Sequence, residues 1–149
     1  MSLSYDKFVS AFLKKITTYE YLELPQPTRD EIVHSYMMYA MSGFRRVCKY
    51  DIMSSLNEMD ECFDIDIPET DLWEIIDIVS DGMIVHWLKP HLYKQELMQN
   101  ALNTRDFTSH SPAELLLRIG NAYDRARNEY IQKVREYSYN SGDLTSLHL

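Results

Sequence analysis

The side chains of this sequence that could do chemistry are five histidines, two cysteines and a dense set of carboxylates. His86 and His91 are five positions apart, whereas two metal ligands on one helix face need a spacing of three or four. Cys48 precedes Lys49, and a neighbouring cation can lower the pKa of a thiol, but no histidine base can be assigned to it. We therefore interpret the histidines as packing or surface residues and Cys48 and Cys62 as free structural thiols, with a disulfide as the alternative.

The carboxylates could bind calcium or act as an acid–base pair. Asp64 and Asp66 have the spacing of the first ligands of an EF-hand loop, but the glycine and the closing glutamate of such a loop are missing. A glycosidase-like pair stays open, because the sequence selects no particular two carboxylates. The chain has no GxSxG, GxGxxG or GxxxxGK[ST] motif. We therefore predict a protein that is not an enzyme, with no catalytic residue, no bound metal and no cofactor.

The net charge of −8 is distributed unevenly along the sequence. Residues 50–88 contain eleven acidic residues and no Lys or Arg, whereas residues 1–49 carry +2 and residues 89–149 carry +1. Tight non-specific binding of phosphates needs clustered Lys and Arg, so this pattern argues against it. It predicts one face of strongly negative potential. The side chains expected to be exposed on it are Glu58, Asp60, Glu61, Asp64 and Asp66.

Apolar periodicity and capping patterns predict the first half of a helical bundle. Apolar residues recur at spacings of three and four over residues 4–20, which predicts a first helix. Thr28 and Glu31 form a capping-box pattern, which predicts the start of a second helix that reaches about Tyr50. Gly43 lies inside that helix, and we interpret it as a close helix crossing.

The second half is predicted to contain the most apolar helix and the longest amphipathic one. A third helix opens at residues 68–71 and should be central, and Pro90 should end or kink it before a shorter helix over residues 91–102. In the sequence SPAE, Ser111, Pro112 and Glu114 are predicted at the N-cap, N1 and N3 positions of a last helix, which runs to about Tyr137. The predicted core comprises Trp73, Ile76, Val79, Met83, Trp87, Leu116, Ile119, Tyr123 and Tyr130. We interpret the many aromatic residues as core and subunit interface rather than as platforms for base stacking.

The remaining segments are predicted to be extended. Apolar and acidic residues alternate over residues 63–67, which predicts a short edge strand or hairpin arm within an irregular stretch at 51–68. The fold class is therefore an all-α bundle of about four or five helices over residues 1–137, with one extended acidic loop or short strand pair. Residues 138–149 should form an extended tail. The tail is too short and polar to bury itself, yet it retains leucines at 144, 147 and 149, so we expect it to dock on a partner.

Residues 79–149 resemble a family of small virion proteins of tailed bacteriophages, the head–tail connectors or neck adaptors. The resemblance lies in WLKP at residues 87–90, ALNTRDF at 101–107, SPAELL at 111–116 and YSYNSGD at 137–143. It implies a helical subunit that assembles with neighbouring copies as a ring, commonly of about twelve, beneath the portal protein. It also implies a lumen through which DNA passes without specific binding, a further neck or tail-completion protein as a partner, and no membrane. The location would be the virion neck, after assembly in the host cytoplasm.

The same resemblance assigns provisional roles to two sets of residues. The C-terminal segment would dock on the portal, with Tyr137, Tyr139, Leu144 and Leu147 as its anchors. The five acidic side chains at 58, 60, 61, 64 and 66 would line the lumen or reach a neighbouring subunit. A different class of function stays open beside this one, namely a soluble helical binding or regulatory module that holds a partner helix or peptide in a groove.

Overall fold

Four α-helices dominate the computed structural model, which describes residues 2–22, 24–103 and 110–141. The predicted all-α bundle with a short strand pair is therefore confirmed. Within the described ranges the helices are α1 (Tyr5–Ile16), α2 (Asp30–Phe44), α3 (Glu69–Asn103) and α4 (His110–Ser141), with 3-10 turns at Thr17–Leu22 and Met53–Ser55. The strands are β1 (Leu3–Ser4), β2 (Leu56–Asn57) and β3 (Cys62–Phe63).

Helix α3 is the centre of the bundle, as its apolar sequence predicts, and α1, α2 and α4 all pack against it. Of the predicted core, Ile76, Val79, Met83, Trp87 and Ile119 are buried. Leu116, Tyr123 and Tyr130 are half-buried. The prediction that Trp73 is buried is wrong, because its side chain is 65% exposed.

Two close approaches fix how α2, α3 and α4 cross. A Cβ atom placed on Gly82 would lie 2.8 Å from Cβ of Ala40 and 2.9 Å from the Tyr130 ring. The Tyr130 hydroxyl donates a hydrogen bond to the Ala40 carbonyl at 3.0 Å. A Cβ atom placed on Gly43 would lie 3.2 Å from the Tyr130 hydroxyl oxygen, so the close crossing predicted at Gly43 exists. Helix α2 ends one residue after Gly43.

Both ends of α2 differ from the prediction. The N-cap is Arg29 without a side-chain hydrogen bond, so the capping box of Thr28 and Glu31 does not form. Asp30 and Glu31 in the first turn instead stabilise the start of the helix, because their negative charges lie at the positive end of its dipole. The helix ends at Phe44 rather than near Tyr50, and the backbone N–H of Lys49 donates to the hydroxyl of Tyr137 at 3.1 Å.

Pro90 does not end α3, which runs unbroken to Asn103 and replaces the two shorter helices that we predicted. A proline removes one backbone hydrogen bond, but it leaves the helix free to continue where packing supports both sides. Helix α4 supplies that packing: it meets α3 before the proline at Gly82, and Gly120 faces Leu92 after it. Within the described residues, no helix is both long and apolar enough to cross a lipid bilayer.

The strands form a small antiparallel sheet in the order β1–β3–β2. Leu3 pairs with Phe63 on one side of β3, and Leu56 pairs with Phe63 on the other. The predicted hairpin is therefore present. The prediction of an edge strand over residues 63–67 is wrong both in its residues and in its place in the sheet. Strand β1 covers β3 and makes it central, and residues 64–68 lie outside the sheet.

Helix α4 is longer than predicted at both ends. It begins at His110 and thus already includes Ser111, the predicted N-cap. It ends at Ser141, so the tail predicted from residue 138 is helical over its first four residues. The side chain of Tyr137 explains the extension, because it is buried against Phe44 with the ring centroids 4.9 Å apart and anchors the last turns of α4.

Candidate functional site

An open apolar groove of about 740 Å³ runs between α1 and the first turns of α3. Its apolar lining comprises Leu3, Ala11, Ile65, Ile67, Leu72, Trp73 and Ile76. Charged side chains also line it, namely Asp6, Lys7, Lys14 and Lys15 from α1 and Asp66 and Glu69 from the other side. A cleft of this size with an apolar floor and charged margins has the character of a binding site.

Trp73 is the most informative residue of the groove. Its position on α3 puts it one helical turn before Asp77 and two before Asp81, so these three residues share one face. The buried residues Ile75 and Val79 belong to other faces of the same helix. A large exposed indole beside a groove is typical of residues that anchor partner proteins.

Four charged side chains tie three helices together beside the groove. Lys15 Nζ of α1 lies 2.6 Å from Asp77 and 2.7 Å from Asp81, and Lys133 Nζ of α4 lies 2.8 Å from Asp77 and 2.5 Å from Asp81. Burial opposes the charge of Asp77, but its hydrogen bonds to Lys133 and Lys15 and their positive charges outweigh it and lower its pKa. Two acids of the segment at 50–88 are thus neutralised by lysines of α1 and α4, of which Asp81 is buried and Asp77 is half-exposed.

The remaining acidic segment behaves as predicted in one respect: Glu58, Asp60, Glu61, Asp64 and Asp66 are all exposed. The turn between β2 and β3 is held by Asn57, whose amide donates to Asp60 at 3.0 Å and to Asp64 at 3.3 Å. Glu61 adopts a φ of 50°, and its carbonyl accepts a hydrogen bond from the Tyr5 amide at 3.0 Å. The segment therefore presents carboxylates to solvent from a defined turn that is fixed to the start of α1.

The two histidines considered as metal ligands, His86 and His91, are engaged in packing. His86 lies against Tyr39, and His91 against Trp87, with ring centroids 5.5 Å and 5.9 Å apart. Burial lowers the pKa of both histidines, and nearby lysines lower it further. Within the described ranges, no group of three or more His, Cys, Asp or Glu residues could hold a metal ion.

Both cysteines are free thiols, as predicted. Burial raises the pKa of the Cys48 thiol, and this outweighs its hydrogen bonds with Tyr50 and Tyr137. Burial and the charges of Asp64 and Asp60 raise the pKa of the Cys62 thiol. A raised pKa keeps both side chains in the unreactive thiol form near neutral pH.

The predicted docking anchors separate into three groups. Tyr137 is 2% exposed and belongs to the core, which corrects its assignment to a docking surface. Tyr139 lies on the last turns of α4 with its ring exposed. Leu144 and Leu147 lie outside the described residues.

A second exposed apolar surface is present at the other end of α3. After Leu88 in α3 and before Ile119 in α4, none of the described side chains is buried. This projecting pair of helix ends, residues 89–103 and 110–118, is called the arm below. Tyr93 and Leu97 on α3 and Leu117 on α4 are exposed there.

Sequence reasoning missed the groove and the arm. The available sign was the pair of exposed acids next to Trp73, Glu69 one turn before it and Glu74 directly after it, which suit a part of α3 that reaches solvent. No protein-family model matches this sequence, and no curated protein or solved structure shows significant similarity to it.

Proposed function

We propose that this chain is a structural assembly protein, the head–tail connector of a tailed bacteriophage, which forms a ring beneath the portal protein. The observation that carries the assembly role is the exposure of large apolar side chains on two separate faces of a packed bundle, with Trp73 in the groove and Leu97 on the arm. Exposed apolar surface of this kind marks sites of protein–protein contact. The phage assignment rests on the resemblance over residues 79–149. In this role the chain is not an enzyme and uses no cofactor.

The acidic segment gives the ring a surface that DNA does not bind. Carboxylates repel the phosphates of a passing duplex, so a lumen lined by Glu58, Asp60 and Glu61 lowers friction and prevents non-specific retention. The same carboxylates can instead face the basic residues of a neighbouring copy. Either position requires exposure of these side chains, and they are exposed.

The end of α4 is the portal-docking element in this proposal. Tyr137 fixes the helix to the bundle through Phe44, so the residues that follow leave from a rigid base. Tyr139 is then the first exposed anchor, and Leu144 and Leu147 are the next ones along the sequence. Aromatic and aliphatic anchors commonly dominate the energy of such contacts.

Truncation after Ser141 tests the portal-docking role. The shortened chain should keep the helical content and melting temperature of the full chain, because the buried contacts of Tyr137 remain. It should fail to join heads that contain portal protein. Normal attachment of the shortened chain would contradict docking through residues 142–149.

The genes that flank this one test the phage assignment independently. A portal or major capsid gene beside it, together with the chain in purified virions, is the expected result. Virions that lack the chain would refute the connector proposal.

The groove favours a second candidate function, a helical module that holds a partner peptide. An open apolar cleft with an exposed tryptophan suits an amphipathic helix whose apolar residues recur at three and four positions. The two candidates differ in where the chain is found. A module that is absent from virions, and that is recovered from cells with one partner protein held through Trp73, would favour the second.

A further inference from the structure

We propose that copies of this chain associate head to tail, with the arm of one copy seated in the groove of the next. The inference deepens the proposed connector function, because it assigns the contact that would build the ring. The occupant of the groove is therefore a second copy of the same chain.

An exposed apolar helix face on the arm matches an open apolar groove in kind. The arm presents Tyr93 and Leu97 one helical turn apart, and both are exposed. The groove is open along α1 from Asp6 to Lys15, which corresponds to about 14 Å at 1.5 Å per residue. An amphipathic helix that lays two apolar anchors into such a cleft is a common mode of recognition.

The two faces also carry opposite charges at defined places. The groove is lined by the acids Asp6, Asp66 and Glu69 and by the lysines Lys7, Lys14 and Lys15, and Lys15 is already paired with Asp77 and Asp81. Lys89, Lys94 and Arg118 are exposed on the arm, where Glu114 is the exposed acid among the described side chains. Glu69 lies one turn before Trp73 on the groove wall, just as Lys94 lies one turn before Leu97 on the arm. The acidic segment adds further carboxylates at the groove end of the molecule. Lys7 and Lys14 on the α1 wall leave Glu114 of the arm a partner as well.

The geometry excludes docking within one copy. Trp73 and Leu97 belong to the same unbroken helix and are 24 residues apart, or about 36 Å along its axis. A helix cannot fold its own end back into a groove beside its own beginning. Contact between two different faces is heterologous, and such contacts close into rings when the rotation between neighbours allows it.

A mixing experiment with two full-length variants tests this contact. Trp73→Ser damages the groove and leaves the arm intact, whereas Tyr93→Ser with Leu97→Ser damages the arm and leaves the groove intact. Both sites are exposed, so circular dichroism and thermal melting should match those of the wild type. Each variant alone should raise the dissociation constant of self-association at least about tenfold in sedimentation equilibrium. Met59→Ser removes an apolar side chain that is also exposed and should change nothing.

The mixture of the two variants gives the decisive result. Each retains one intact face, so an equimolar mixture should form heterodimers at the wild-type affinity and nothing larger. A two-fold contact of arm with arm would give no such recovery. A charge exchange gives a second test of the same contact. Lys94→Glu and Glu69→Lys should each weaken association, and a chain that carries both substitutions should associate as the wild type does.

Three other outcomes separate this contact from the connector function. A wild-type chain that stays monomeric up to about 1 mM overturns the contact, since millimolar affinity would already be visible at that concentration. If Trp73→Ser subunits formed rings on the portal protein as well as wild-type subunits do, the contact would be overturned and the connector proposal would stand. Head-to-tail association by a chain that is absent from virions would support the contact and refute the connector proposal.

Discussion

The substitution Gly82→Ala measures how closely the three long helices cross. The new Cβ would lie 2.8 Å from Cβ of Ala40 and 2.9 Å from the Tyr130 ring, whereas carbon atoms prefer a separation of about 3.5–4.0 Å. Relief requires both that α2 and α3 separate and that the Tyr130 ring moves, which strains its bond to the Ala40 carbonyl. Overpacking of this kind costs about 1–3 kcal/mol, and the better helix propensity of alanine returns about 1 kcal/mol.

The net expectation is a loss of up to about 2 kcal/mol in the free energy of unfolding, or a melting temperature lower by up to about 4–8 °C for a domain of this size. Urea unfolding followed by circular dichroism at 222 nm measures the change. Gly120→Ala is the matched control, because its Cβ would meet Leu92 at an ordinary 3.8 Å. That variant should gain about 0.5–1 kcal/mol from helix propensity and a smaller entropy of the unfolded chain.

A second substitution tests the cause of the loss. Ala40→Gly in the Gly82→Ala background removes one of the clashing atoms, so the double variant should be more stable than the sum of the single effects implies. If Gly82→Ala were as stable as Gly120→Ala, the helices would not cross as closely as the structure places them.

Three further predictions follow from individual contacts. Trp87→Ala should cost about 3–5 kcal/mol in a denaturant melt because its indole is buried, whereas Trp73→Ala should cost less than about 1 kcal/mol, and equal losses would contradict the exposure of Trp73. Because the pKa of Asp77 is lowered in the folded protein, its contribution to stability is complete above the ordinary pKa of 3.8 and is lost as the pH falls through the folded value. Asp77→Asn should therefore flatten the fall in unfolding free energy below about pH 4. An unchanged fall would argue against the ion pairs of Asp77. The hydrogen bond of Tyr50 to Asp71 at 2.5 Å raises the pKa of Tyr50 to about 12, so Asp71→Asn should return the ultraviolet titration of one tyrosine toward about 10, and no such shift would contradict the bond.

The helical fold could be predicted from the sequence because local periodicity carries it. The apolar residues of α1, α2 and α3 recur at helical spacing, and α3 was recognisable as central from its composition alone. The ends of the elements could not be predicted, since distant contacts set them. Tyr137 packs on Phe44 and prolongs α4, and packing by α4 carries α3 through Pro90. The pairing of β1 with β3 joins residues about sixty positions apart, which no local pattern encodes.

The candidate site divides in the same way. Exposure of the acidic segment followed from its charge density, because unpaired carboxylates are costly to bury. The partners of Asp77 and Asp81 could not be foreseen, since Lys15 and Lys133 come from the two ends of the chain. Trp73 was assigned to the core because the two most apolar helices were expected to face each other, whereas its side chain lines the groove and is 65% exposed.

The most direct test of the central claim is an electron cryo-microscopy reconstruction of this chain bound to the portal protein of its own phage. The connector proposal expects a closed ring of identical subunits beneath the portal. Arms should be seated in neighbouring grooves at Trp73, and Tyr139 should contact the portal. A portal that binds no copies of the chain, or that binds isolated subunits with no contact between them, would contradict the account.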